Sequence, residues 1–192
     1  MAANGRVITG FSSPYVALYS ESGGTVTYSS QSVLARGVNV DLSIEAADDN
    51  NFYADNVVAE SAAGMFGGGT ATLTVDGLLT AAEKLILGLP TADGDGWTAY
   101  GDAASIPYCG LGFVVRYMSD GVTTYVPVVL TKVKFKMPNL SAATQEDAID
   151  WQTQELEAVI MRDDTSDHNW KKVCAAQADE ATAITKITAL LS

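Results

Sequence analysis

Residues 37–46, GVNVDLSIEA, alternate strictly in polarity. Val38, Val40, Leu42, Ile44 and Ala46 fall on one side of an extended chain, and Asn39, Asp41, Ser43 and Glu45 on the other. A period of two is the period of a pleated strand, so the stretch predicts a half-buried strand with an acidic outer face. TATLTVDGL, from Thr70, repeats the pattern. YVALYS and TVTYSSQSVLA flank Glu21-Ser-Gly-Gly, and LGFVVRYMS and TTYVPVVLTKVKFKMP flank Asp120-Gly121; both read as hairpins.

Helical signals are few. TAAEKLILGL places Leu85, Ile86 and Leu89 at helical spacing, with Thr80 expected as N-cap and Gly88 and Pro90 as the stop. ADEATAITKITALL sets Ala181, Ile184, Ile187 and Leu191 on one stripe, a C-terminal helix. TQEDAIDWQTQELEAVIMR fits either period: Ile149, Leu156 and Ile160 mark a helix, Ile149, Trp151 and Thr153 a strand. Residues 1–14 are small, polar and weakly patterned, which predicts a flexible N-terminal arm. Gly67-Gly-Gly reads as a flexible connection. The chain therefore reads as mainly β (α+β), one domain over 1–192, with an extension from about residue 161 that carries the last helix.

Hydrophobic content of 47% across 192 residues supports one folded core. The net charge of −12 argues against a surface that grips nucleic acid or an anionic membrane, both of which need basic patches. No apolar run approaches the ~20 residues of a membrane span, and the N-terminus shows neither a basic n-region nor an apolar h-region of a signal peptide. Cys109 and Cys174 lack metal or redox spacing, and two reduced thiols are expected over a single disulfide.

Charge is segregated along the chain. Between Arg36 and Lys84 there is no basic residue, but there are eight acids: Asp41, Glu45, Asp48, Asp49, Asp55, Glu60, Asp76 and Glu83. Lys132, Lys134 and Lys136 instead share one strand face, read either as solvated or as facing an acidic neighbour.

Catalysis has no candidate constellation. His168 is the only histidine, in the polar run DDTSDHNW, and a solvated residue is the expectation. ADGDGWTAYGDA looks superficially like a calcium loop, but Trp97 and Ala104 stand where ligands should be. Asp48, Asp49 and Asp55 with their asparagines could also hold calcium; a solvated turn is the simpler reading. No catalytic residue, metal or cofactor is expected.

In order and spacing, several segments resemble the major tail proteins of long-tailed bacteriophages, which build the tail tube. They are FYADNVVAE (52–60), GGGTATLTVDGL (67–78), AAEKLILGL (81–89), IPYCGLGFVVRY (106–117), VLTKVKFKMP (129–138) and TQEDAIDWQTQELEAVI (144–160). The resemblance implies a β-sandwich or barrel-like fold with a short flanking helix, and strands for the ambiguous last segment. It implies hexameric rings stacked into a virion tube, assembled in the host cytoplasm, through which double-stranded DNA passes without tight binding. The implied partners are further copies of the chain, a tape measure protein and a tail terminator, with no membrane. On that basis Asp41 and Glu45 are candidates for the lumen face. Asp48, Asp49, Phe52, Tyr53 and Asp55 are candidates for an inter-ring loop, and Lys132, Lys134 and Lys136 for an inter-subunit basic face. The alternative is a monomeric β-sandwich, a virion decoration or surface-binding module.

Overall fold

The computed structural model describes residues 5–48, 50–62, 64–102, 104–144 and 151–192. The chain is mainly β, as the alternating segments predict, with ten strands and two helices among these residues. The strands are β1 (Val7–Ser22), β2 (Thr25–Val33), β3 (Gly37–Ala46), β4 (Asn50–Ala54), β5 (Val57–Ala62), β6 (Phe66–Val75), β7 (Cys109–Ser119), β8 (Val122–Phe135), β9 (Gln154–Met161) and β10 (Lys171–Val173). The helices are α1 (Thr80–Leu87) and α2 (Glu180–Leu190).

Eight strands form one antiparallel sheet in the order β2-β1-β7-β8-β9-β6-β3, with β10 beside β8. β8 is the shared strand. Val122–Val133 pair with β7, while Lys132–Phe135 pair with β9 on the opposite edge. The sheet thereby doubles over: β2-β1-β7-β8 form one layer, and β9-β6-β3 lie across it. Both inner faces bury their apolar residues in one core, which includes Leu111, Phe113, Leu130, Leu73, Leu156 and Ile160. Ile86 and Leu87 of α1 close that core at one side.

Both expected hairpins form. Gly23-Gly24 (φ 59° and 79°) join β1 to β2, and Asp120-Gly121 (φ 50° and 76°) join β7 to β8. Two positive φ values in a two-residue loop match the right-handed twist of the flanking strands. Gly88 ends α1 in the left-handed conformation (φ 61°), as expected. Thr80 does not cap α1; it is the first helical residue, and Leu79 takes the cap position with no side-chain hydrogen bond.

The expected arm is corrected from Val7 onward. Residues 7–12 and 15–18 pair with β7, and a bulge at Ser13 (φ 54°) separates the two ladders. Their partners lie about a hundred residues downstream, so no local pattern announces them. Gly67-Gly-Gly is likewise strand, with Gly69 paired opposite Ile44 of β3 and Ile160 of β9. Gln154–Met161 is strand, as the resemblance implies for this part of the segment, but Trp151 and Thr153 precede it outside any strand, and Ile149 lies outside the described residues.

α2 packs on the outer face of β1, β7 and β8, burying Ala183, Ile187 and Leu191 against Ala17, Val114 and Val129. Its buried stripe starts at Ala183, not Ala181, which is exposed. The approach is close: a Cβ on Gly112 would stand 2.3 Å from Ile187 Cγ2, and one on Gly110 would stand 2.7 Å from Leu191 Cδ2. These two glycines let the helix sit on the sheet. Asp179 caps α2, accepting from the Thr182 N–H at 2.8 Å and its hydroxyl at 2.9 Å. At the bulge, Ser12 and Ser13 donate to Glu180 Oε1 at 2.5 and 3.1 Å, which ties the helix start to β1.

Candidate functional site

Among the described residues, the outer face of β9-β6-β3 carries no helix. The ladders line up Asn39, Thr74 and Glu155; Asp41, Thr72 and Glu157; and Ser43, Thr70 and Val159. Glu45 continues the outer row of β3. Among the described residues the face is therefore built mainly of carboxylates and hydroxyls, with Val159 and Met161 of β9 as its large apolar side chains. Asp41 and Glu45 are exposed and share the side opposite Val40 and Leu42, which pack on the core, so the alternation placed them correctly relative to the core. Glu155, Glu157 and the threonines belong to the same surface. Each strand shows their period, but only the β3-β6-β9 pairing joins them.

The lysine run lies beside this face. Lys134 is paired across from Val159, and its ammonium lies 5.4 Å from the Tyr108 ring centroid. Lys136, one residue beyond β8, forms an ion pair with Glu157. Lys132 pairs with Asp164 at 2.6 Å and sits over the rings of Tyr108 (4.7 Å) and Tyr19 (5.1 Å). Asp164 accepts from Lys132 and from the Tyr19 hydroxyl, and these bonds hold its carboxyl below the usual carboxylate range. Burial, together with the neighbouring acids Asp164 and Asp163, pushes the Tyr19 phenol up to about 12. The acidic neighbours of Lys132 and Lys136 therefore come from this same chain.

Between β3 and β6 the chain leaves the sheet. Ala46 pairs with Phe66, and the intervening residues form a separate two-stranded hairpin, β4-β5. Asp55 and Asn56 (φ 51° and 63°) make its two-residue turn. That Asp-Asn pair between NFYA and VVAE was a legible hairpin signal in a segment read above only as a loop or turn. Phe52, Tyr53 and Val57 are exposed at 64%, 63% and 62%. Asp55 and Glu60 on the hairpin and Asp48 before it are exposed, and none of the three is in an ion pair among the described residues. Asp49 lies outside the described residues. A lone two-stranded hairpin is marginal in water, and this one carries three exposed large apolar side chains.

The remaining candidates stay apart. His168 is exposed in a turn at φ 50°, with Nδ1 3.3 Å from the Asp163 carbonyl. In the glycine- and aspartate-rich loop, Asp93 Oδ1 accepts from the N–H groups of Asp95 (3.0 Å) and Trp97 (2.8 Å), which is turn chemistry. Among the described residues no cluster of three or more His, Cys, Asp or Glu could hold a metal ion, and no helix is long and apolar enough to cross a membrane. Cys109 and Cys174 are free thiols; burial pushes the Cys109 thiol up to about 12. Compared with known proteins, the chain matches no family model and no curated relative.

Proposed function

We propose that the chain is a structural, self-assembling protein whose copies form stacked rings, a phage tail tube, with the β9-β6-β3 face toward the lumen. The uncovered face bearing Asp41, Glu45, Glu155 and Glu157 carries this reading. A basic lining would release counterions from DNA phosphates and bind tightly, whereas a lining of carboxylates and hydroxyls repels a polyanion in transit. Six copies at −12 each give a ring of about −72, a field that matters across a lumen even with screening. Such charge opposes assembly, so contacts between copies must bury apolar surface and pair strand edges. The open edges of β2 and β3 and the aromatic tip of the β4-β5 hairpin supply both.

Electron microscopy and native mass spectrometry of the purified protein test the reading; rings or tubes support it, and a monomer near 20 kDa at all concentrations and salts supports a binding module in its place. Replacing both Asp41 and Glu45 with lysine should leave tubes forming but make them retain DNA, most strongly at low salt. Tubes that pass DNA normally at low salt would put these acids on the outside, and variants that cannot assemble would put them in an interface.

A further inference from the structure

At the mouth of the sandwich, the first half of β1, the start of β3, the second half of β7, the middle of β8 and β10 line a cleft of about 530 Å³. Its lining is apolar, including Phe11, Phe113, Val115, Val38 and Val40, and Phe11 meets Phe113 edge to face with ring centroids 5.6 Å apart. The charged residues that line it are Arg6 and Lys171. Arg6 lies over the Tyr117 ring at 4.3 Å, Lys171 over Trp170 at 4.7 Å, and neither is in an ion pair among the described residues. The cleft is thus a greasy slot with a basic rim. The β4-β5 hairpin is its complement in both respects: Phe52 and Tyr53 are exposed, Glu60 is paired across from Phe52, Asp55 stands in the turn, and neither carboxylate is in an ion pair among the described residues. Among the described residues, none of the hairpin lines the cleft of its own chain.

We infer that the cleft receives the β4-β5 hairpin of a second copy of this chain, Phe52 and Tyr53 entering the apolar slot while Asp55 and Glu60 face Arg6 and Lys171. Two different surfaces of one chain then meet, a head-to-tail contact that propagates from copy to copy and closes into a ring or continues as a filament. The inference rests on the reading of the chain as self-assembling and names the contact that drives it.

Charge reversal on each side tests the pairing. Asp55→Lys with Glu60→Lys should weaken self-association about tenfold or more, as should Arg6→Glu with Lys171→Glu, because like charges then face each other. A chain carrying all four changes should recover most of the wild-type association, since the charges are complementary again. Sedimentation velocity reads all three, with circular dichroism confirming the fold. As a second measurement, Phe52→Cys and Val38→Cys chains, each also Cys174→Ser, are mixed with a short bismaleimide and should give a crosslinked heterodimer in preference to either homodimer. If wild-type copies assemble while neither reversal changes association and no heterodimer forms, the pairing is overturned and the tube reading stands. If the fourfold variant is no better than its parents, charge pairing across this cleft is likewise overturned. A wild-type chain that never associates overturns both.

Discussion

The two outer faces of the folded sheet are made by the same pleated geometry and end in opposite states. On β1, β7 and β8 the outward positions are Ala17, Gly110, Gly112, Val114 and Val129, small or apolar, and α2 covers them. On β9, β6 and β3 the equivalent positions are mostly threonines, carboxylates, Asn39 and Ser43, with Val159 and Met161 on β9, and among the described residues no helix covers them. A helix can seat on a strand face only where side chains leave room and burial repays the lost hydration. Gly110 and Gly112 provide the room, and Val114 and Val129 the apolar area. Threonine and glutamate would offer unpaired oxygens to a buried interface, so no helix of the described residues packs on that face.

If this contrast is right, the covered face is where stability lives. Ile187→Ala removes the side chain that rests on Gly112 and should cost about 2–5 kcal/mol in denaturant unfolding. A loss below about 1 kcal/mol would mean that α2 adds little and that the two faces differ less than their composition says.

A smaller effect should come from the cap that starts α2. The backbone N–H of Thr182, helped by its hydroxyl, holds the Asp179 carboxyl below its ordinary value. A depressed folded value stabilises the protein above the unfolded carboxylate range and is lost as pH falls through the folded one. Asp179→Ala should therefore be less stable than wild type at neutral pH, with the gap narrowing below about pH 4. A gap independent of pH would assign the loss to something other than the ionised cap.

The smallest change belongs to the open face. Asp41→Asn, on an exposed edge strand, should shift unfolding by no more than about 0.5 kcal/mol. A larger loss in the isolated chain would show that this face is structurally committed and not free for a second role.

Much of this was legible in advance. TATLTV named its inner and outer residues, and GVNVDLSIEA did so at Val40 and Leu42, although Val38, Ile44 and Ala46 on the same side are exposed; Gly23-Gly24 and Asp120-Gly121 turned where turn chemistry requires, and Gly88 stopped α1. The misses share a cause. Val7–Pro14 looks unstructured because its strand pairing is with β7, over a hundred residues away. Gly67-Gly-Gly looks like a linker because glycine has no side chain to report the strands on either side of it. The lysine run was read correctly as one face, yet its partners Asp164 and Glu157 come from a loop and a strand that local pattern cannot bring near.

What the sequence determined by itself is each strand's two-sidedness, since alternation of side chains is a property of the extended backbone and needs no neighbour. Only the tertiary structure decided what those sides meet. It joined Asp41, Thr72 and Glu157 into one row, set α2 on Gly110 and Gly112, and left the β4-β5 hairpin outside the sheet. Register and layer packing are set by contacts between residues far apart in the chain, and those contacts are selected by the burial of the whole core.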